Sequence, residues 1–268
     1  MLLELLPELL EHVLQYLTLK DVMKLSSMNS EYRCFLKAKV FHTIAVPRSF
    51  MHQSLQARSS RIQSIKKING VMSEVLEFTK VIQFPPNTCA PVDLLKAISG
   101  NCGLEEVHLS YLSFKSQNNP VQLMCKYLLQ LRVLNLSHTN LEDPDCEAIS
   151  DLKVLQELVL FHCYMITDLG MVHIGRIKTL KLLDIGSTLL TQATFYHISR
   201  LILLEKLVLF NWYSEPHSES TQNLKNFSQL KTLDLSSCHH ISDACWSVFS
   251  ALPLRELKRT ETLSVPWS

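Results

Sequence analysis

The hexapeptide Leu131-Arg-Val-Leu134-Asn-Leu136 decides the fold, because the same pattern returns four more times along the chain. The later copies begin at Leu155, Leu180, Leu204 and Leu230. Weaker copies begin at Thr79, Leu104 and Leu254, so that neighbouring copies lie 24 to 27 residues apart. One unit of this length cannot bury its leucines alone, whereas stacked units share a continuous core. The period therefore predicts a solenoid.

Each unit is predicted to contain a strand, a turn and a short helix. The first, fourth and sixth positions are apolar and are expected to point into the core, while the third, fifth and seventh face the open side. Asp143-Pro144 then signals a helix start, because a carboxylate can accept free backbone N–H groups and proline lacks the unneeded donor. Apolar pairs such as Cys146/Ile149 supply the buried face of that helix. The predicted fold class is an α/β solenoid with a parallel concave sheet and outer helices.

The ninth position of the units adds a family signature. It is occupied by Thr139, Cys163, Thr188, Trp212 and Cys238. With this column, residues 79 to 258 resemble the cysteine-containing subclass of leucine-rich repeats, which implies a horseshoe arc. We assign residues 76–262 to the repeats and 263–268 to a tail. Cys163 and Cys238 are expected to pack in the core, each with a weak S–H donor toward the turn.

The first 45 residues lie outside the repeat and predict three short helices. On a helical projection, apolar side chains between Leu6 and Leu17 cover an arc of roughly 160°, wider than one core contact needs. Thr18-Leu-Lys-Asp21 opens a second helix, and Ser30 can cap a third. Three helices in about 40 residues are too small to bury this surface alone. Some of it is left for the first repeat or for a partner.

This segment resembles an F-box over about residues 4 to 40. The resemblance is carried by Leu6-Pro7-Glu8-Leu9-Leu10, Val13-Leu14, Tyr16-Leu17, Asp21-Val22, Leu25, Met28 and Tyr32-Arg33. It implies an all-helical F-box that docks on a Skp-family adaptor and, through it, on a cullin and a RING protein. The implied adaptor-binding residues are Leu6, Pro7, Leu10, Val13, Leu14 and Leu17, supported by Leu25, Met28 and Tyr32. Residues 46–75 are then a linker or an irregular first repeat.

Composition narrows the chemistry. The 268 residues include 48 leucines, six glycines and eight cysteines, and 26 basic against 25 acidic side chains give a net charge of +1. Such a balance produces no long-range attraction to nucleic acid or to an anionic membrane. The six glycines build no phosphate-binding loop, and neither G-x-S-x-G nor H-E-x-x-H occurs. We expect no catalytic residue, no cofactor and no metal. Metal binding or catalysis at Cys238-His-His240 is the weaker alternative.

The sequence also suggests a cellular location. The apolar start is interrupted by Glu4, Pro7 and Glu8, which does not fit a secretory signal, and no apolar run reaches the ~18 residues of a membrane span. The cysteines form no C-x-x-C pair and no zinc spacing. We expect reduced thiols in a cytoplasmic or nuclear protein.

The register places a distinctive patch on the open face. Phe161 and Phe210 occupy the seventh position two repeats apart, and Gly186 between them should leave a notch. The candidate substrate-binding residues are Val159, Phe161, His162, Asp184, Val208, Phe210, Asn211 and Tyr213. An apolar ridge, gap and ridge is typical of a binding patch with an anchor pocket. The alternative is that the irregular segment 211–229 folds over this surface.

Two functions of different classes follow. The first is a non-catalytic substrate receptor of an SCF-type (Skp, cullin, F-box) ubiquitin ligase, with an unidentified protein substrate on the repeats. The second is a leucine-rich-repeat scaffold or inhibitor, whose N-terminal helices merely cap the solenoid. An enzyme that uses the Cys238 cluster is a third, weaker hypothesis.

Overall fold

A computed structural model describes residues 43–45, 80–83, 88–89, 103–114, 120–212, 222–239 and 241–259. Within these ranges the dominant element is a nine-stranded parallel sheet. Its strands, in spatial order, are β1 (Thr43–Ala45), β2 (Val81–Gln83), β4 (Glu106–His108), β6 (Val133–Asn135), β7 (Glu157–Val159), β8 (Leu182–Asp184), β9 (Lys206–Val208), β10 (Thr232–Asp234) and β11 (Glu256–Lys258). A second sheet pairs β3 (Thr88–Cys89) with β5 (Leu112–Ser113).

The helices follow the strands in the order that the repeat predicts. They are α1 (Pro120–Tyr127), α2 (Asp143–Ile149), α3 (Asp168–Ile174), α4 (Ala193–Ile198) and α5 (Asp243–Ser250). After β9 the described chain has a 3-10 helix (Gln222–Asn226) at the place where other units carry an α-helix. The α/β solenoid with a parallel sheet is confirmed.

The strand register confirms the alignment of the units. The fourth positions pair across the sheet, so that Val107, Leu134, Leu158, Leu183, Leu207, Leu233 and Leu257 form one row. Ile82 extends this row toward the N-terminus, and Ile44 of β1 pairs with it. The predicted end of the F-box segment, residue 45, is thus the last residue of β1. This strand extends the sheet beyond the unit that begins at Thr79, the first unit recognised in the sequence. The remaining F-box positions lie outside the described residues.

The core is built from the predicted inward positions. Leu134, Leu158, Leu183 and Leu207 are fully buried, and so are the leucines at the first position of the same units. Each fully buried leucine contributes roughly 1.5–3 kcal/mol through the loss of apolar contact with water. Helical pairs such as Cys146/Ile149 are also fully buried against this core. The stacked leucines therefore hold the arc together.

The helix-start aspartates act between units. Asp143 accepts hydrogen bonds from the backbone N–H of Thr167 (2.8 Å) and of Gly170 (3.1 Å), and from the Thr167 hydroxyl (2.6 Å). Thr167 is the N-cap residue of α3, the helix of the following unit. Asp168 repeats the arrangement with the N–H of Thr191 at 3.1 Å. The sequence marks these aspartates as helix-start signals, and in the structure they serve the start of the next helix.

In six of the units, a residue in the left-handed backbone conformation ends the strand-to-turn segment. The eighth positions with positive φ are Tyr111, His138, His162, Ser187, Asn211 and Ser237, with φ between 51° and 60°. This conformation is uncommon for residues other than glycine. It directs the backbone N–H of His138 to the Phe161 carbonyl (2.8 Å) and that of His162 to the Gly186 carbonyl (2.9 Å). The turn thus adds one hydrogen bond between neighbouring units beyond the strands.

Candidate functional site

The candidate site is the concave patch, which we define as Val159, Phe161, Asp184, Val208 and Phe210. These residues lie at the fifth and seventh positions of the units that carry β7, β8 and β9. The strand register places Asp184 between Val159 and Val208. All five side chains are partly buried, so each keeps a surface on the open side. The sequence predicted all five members of this patch.

The notch expected at Gly186 is closed by the two phenylalanines. Their ring centroids are 6.0 Å apart with an interplanar angle of 53°, although the residues lie two repeats apart. A Cβ at Gly186 would lie 3.2 Å from the Phe161 ring and 2.9 Å from the Phe210 carbonyl oxygen. Gly186 is itself buried. The anchor pocket that the sequence predicted is therefore replaced by a continuous aromatic surface. Because Gly186 has no side chain, the rings of Phe161 and Phe210 approach each other above it.

Asp184 supplies the charge of the patch. Its Oδ1 accepts the backbone N–H of Gly186 at 2.9 Å, which fixes the turn after β8. Burial raises the pKa of this carboxyl, an effect that outweighs the stabilising hydrogen bond from Gly186 and the attraction of Lys206. The concave patch therefore combines apolar walls with one carboxylate that is poorly hydrated.

An aromatic row borders the patch, and His162 alone of its members was predicted as a binding residue. It consists of Tyr111, His138 and His162, the eighth positions of three successive units. Tyr111 stacks on His138 with centroids 4.1 Å apart, and His138 lies 4.7 Å from His162 and 5.1 Å from Phe161. Burial, and then the proximity of His162, lowers the pKa of His138. The row extends the aromatic surface of the patch across the turns that follow successive strands of the sheet.

The remaining predicted substrate-binding residues differ in position. His162 is exposed and lies in the aromatic row, where its ring is also 5.9 Å from that of Tyr164. The Asn211 side chain donates to the Ser187 hydroxyl at 3.4 Å. Tyr213 lies outside the described residues, as do 214–221 of the irregular segment. The alternative that this segment covers the patch therefore stays a prediction.

The adaptor-binding prediction falls on residues that are not described. Leu6, Pro7, Leu10, Val13, Leu14, Leu17, Leu25, Met28 and Tyr32 all lie outside the described residues. Their proposed role rests on the sequence.

The two turn cysteines, Cys163 and Cys238, donate hydrogen bonds to the preceding units. The Cys163 thiol donates to the Leu136 carbonyl of the preceding unit at 3.1 Å, and Cys238 donates to Leu209 at the same distance. Burial raises the pKa of the Cys163 thiol to about 11 and also raises that of Cys238. These thiols are therefore protonated at neutral pH. The predicted donor role of both thiols is confirmed. Cys163 is buried in the core as expected, whereas Cys238 is only partly buried against it.

The described ranges contain neither a metal-binding cluster nor a membrane-spanning helix. No group of three histidine, cysteine or acidic side chains suited to a metal ion occurs there. His239 is exposed beside Cys238, while His240 falls in a gap of the description. Among the helices with described residues, none has the length and apolar character to cross a membrane.

A comparison with protein-family models agrees with the repeat seen in the structure, in which buried leucines, parallel strands and turns recur in each unit. The family model described as "Leucine Rich repeat" matches residues 130–150 and 229–244. Over these two segments the chain is similar to leucine-rich-repeat proteins. No curated protein matched the sequence.

Two solved internalin structures are among those that match the chain. Internalin C2 from Listeria monocytogenes is 20% identical, covers 70% of this chain and 75% of its own, and gives a TM-score of 0.49. The internalin inlF from the same organism is 16% identical with a TM-score of 0.52. That match covers 71% of this chain and 52% of the internalin. At this level of identity, the second match supports the leucine-rich-repeat fold alone.

Proposed function

We propose that this leucine-rich-repeat protein is a non-catalytic substrate receptor of an SCF-type ubiquitin ligase. The concave patch supports the binding half of the proposal, because partly exposed valine and phenylalanine side chains on an open sheet are suited to a protein partner. The F-box resemblance of residues 4 to 40 supports the other half. In this account the N-terminal segment binds a Skp-family adaptor, and through it a cullin and a RING protein.

The mechanism is proximity. A substrate held on the repeats is kept near the ubiquitin-conjugating enzyme that the RING protein recruits. Tethering raises the effective concentration of substrate lysines at the charged thioester, so the transfer becomes effectively intramolecular. The receptor needs no catalytic group of its own, and the protonated thiols of Cys163 and Cys238 fit a packing role. The proposed location is the cytoplasm, the nucleus or both.

Co-expression with a Skp-family adaptor tests the ligase half. We expect the full chain to co-purify with the adaptor at a one-to-one ratio and to be less soluble without it. The double variant Leu10→Asp/Leu14→Asp should lose the adaptor, because two charges then lie on the apolar side of the first predicted helix. Glu11→Lys/Gln15→Lys, on the opposite side of the same helix, is the matched control and should retain it.

The contrary result is equally specific. A wild-type chain that is soluble alone and does not bind the adaptor contradicts the receptor proposal. It would favour the scaffold or inhibitor, in which the N-terminal helices cap the solenoid.

A further inference from the structure

The fold does not require a negative charge at Asp184. Its hydrogen bond to the Gly186 N–H forms a turn that also occurs at the equivalent position of another unit, where Asn135 accepts the Ser137 N–H at 3.0 Å. A neutral amide oxygen therefore satisfies the same backbone donor. Burying a charge is costly unless the charge is paired. The fold would be served equally well by asparagine at 184.

The neighbours of Asp184 offer the charge little compensation. Val159 and Val208 lie beside it in the sheet. Lys206 attracts the carboxylate and Asp234 repels it, and burial outweighs the attraction. Among the described ion pairs, none joins a lysine or arginine nitrogen to Asp184 within 4.0 Å. Asp234 makes the same turn, with the Ser236 N–H at 2.9 Å, but its register neighbour on one side is Lys258. Asp184 thus differs from its equivalents by having apolar neighbours on both sides.

The two phenylalanines add a second feature that favours a cation. Phe161 and Phe210 lie just after the strands on either side of Asp184, and both are only partly buried. Aromatic faces attract ammonium and guanidinium groups, and the attraction is stronger where water is excluded. A long basic side chain also has an aliphatic stem that packs on valine and phenylalanine. Carboxylate, rings and apolar walls together match an arginine or a lysine.

We infer that Asp184 is the specificity-determining contact of the concave patch, and that it pairs with a basic side chain, arginine or lysine, presented by the bound protein. The inference rests on the proposed function, since it names the chemistry of the segment that the repeats hold. The cationic end lies against Asp184, and the stem lies on the walls formed by Val159 and Val208. The rings of Phe161 and Phe210 cover it from the turn side.

Selection from a random peptide-display library against the full chain, purified with its adaptor, tests this inference. We expect the selected peptides to share a basic residue next to apolar residues. For a synthetic selected peptide, arginine→citrulline or lysine→acetyl-lysine should weaken binding to the wild type at least about tenfold, as measured by fluorescence anisotropy. Against Asp184→Asn the same replacement should cost less than about twofold, whereas Asp234→Asn, the matched control, should retain the full penalty.

The possible outcomes distinguish a failure of the role of Asp184 from a failure of the concave patch as a binding site. Selected peptides without a shared basic residue, no selected peptide, or an equal penalty in the wild type and Asp184→Asn would each overturn the role of Asp184. Where peptides are selected and Phe161→Asp/Phe210→Asp abolishes their binding, the concave patch remains a protein-binding site. If the double variant binds selected peptides as the wild type does, both the patch and the role of Asp184 are wrong.

Discussion

Phe161 and Phe210 are in contact across two repeats, with ring centroids 6.0 Å apart, because Gly186 between them has no side chain. The seventh position is serine in the units that carry β6 and β10. Only in the centre of the arc do two phenylalanines flank a glycine. This contact makes one aromatic surface out of residues that belong to separate units.

Gly186→Ala is expected to destabilise the protein and to separate the two rings. The new Cβ would lie 2.9 Å from the Phe210 carbonyl oxygen, and a backbone atom of a neighbouring strand cannot move aside as a side chain can. Overpacking of this kind costs about 1–3 kcal/mol. Urea denaturation gives the free energy of unfolding. Ser236→Ala, at the same position of an outer unit, is the control and should change it by less than about 0.5 kcal/mol. Equal stability of both variants would contradict the packing at Gly186.

Asp143→Ala is expected to lower the free energy of unfolding by about 1–3 kcal/mol. The substitution removes the carboxylate that accepts from the backbone N–H and the hydroxyl of Thr167 at the start of α3, whereas the Gly170 N–H keeps the Thr167 carbonyl at 3.0 Å. Asp151→Ala removes an exposed carboxylate from the same unit and is the matched control, because its ion pair with Lys153 is solvent-exposed. Similar losses in the two variants would show that Asp143 does not couple α2 to α3.

Asp184→Asn is expected to stabilise the isolated chain at pH 7. Burial raises the pKa of the Asp184 carboxyl, so the folded state favours its protonated form. The wild type therefore loses stability as the pH rises from the pKa of an unfolded aspartate, about 3.9, through the higher folded value. Asparagine keeps the hydrogen bond to Gly186 without this penalty. The difference between variant and wild type should shrink as the pH is lowered toward 4.

Thermal unfolding of Asp184→Asn and Asp234→Asn, measured between about pH 4 and about pH 8, checks this prediction. Asp234 has Lys258 as a register neighbour, whereas both register neighbours of Asp184 are valines. The Asp234→Asn variant is therefore expected to be less stable than Asp184→Asn at pH 7. A destabilised Asp184→Asn would show that the carboxylate is needed for folding.

The sequence was sufficient to predict the solenoid and its register. Buried leucines recur at fixed positions, and a slip of one residue would turn Leu134 and Leu158 away from the core. The members of the concave patch followed directly from that register. The 38-residue interval between β1 and β2 does not follow the period, and β1 was therefore not anticipated.

Contacts between units could not be read from the pattern. The left-handed eighth positions include Tyr111, His138 and Ser187, which share no side-chain property, because the conformation is imposed by a backbone hydrogen bond to the next unit. The aromatic row was missed for this reason, although Tyr, His and His stand in one column when the units are aligned. The contact of the Phe161 and Phe210 rings above Gly186 depends on how the two rings are oriented. The repeat register predicts which face of the sheet a side chain is on, but it does not predict this orientation.

The central claim is that one chain uses separate surfaces for the ligase and for its substrate. Proximity labelling in cells with cullin activity blocked tests it most directly, with the wild type, Phe161→Asp/Phe210→Asp and Leu10→Asp/Leu14→Asp compared side by side. Ile202→Asp, which alters an exposed apolar residue outside the patch, controls for surface charge.

The account predicts two independent losses. Phe161→Asp/Phe210→Asp should keep the adaptor and cullin and lose a defined set of other labelled proteins, because charge replaces the aromatic cover of the patch. Leu10→Asp/Leu14→Asp should keep that set and lose the adaptor and cullin. A wild-type chain that labels no adaptor, or a patch variant that labels the same proteins as the wild type, would contradict the account.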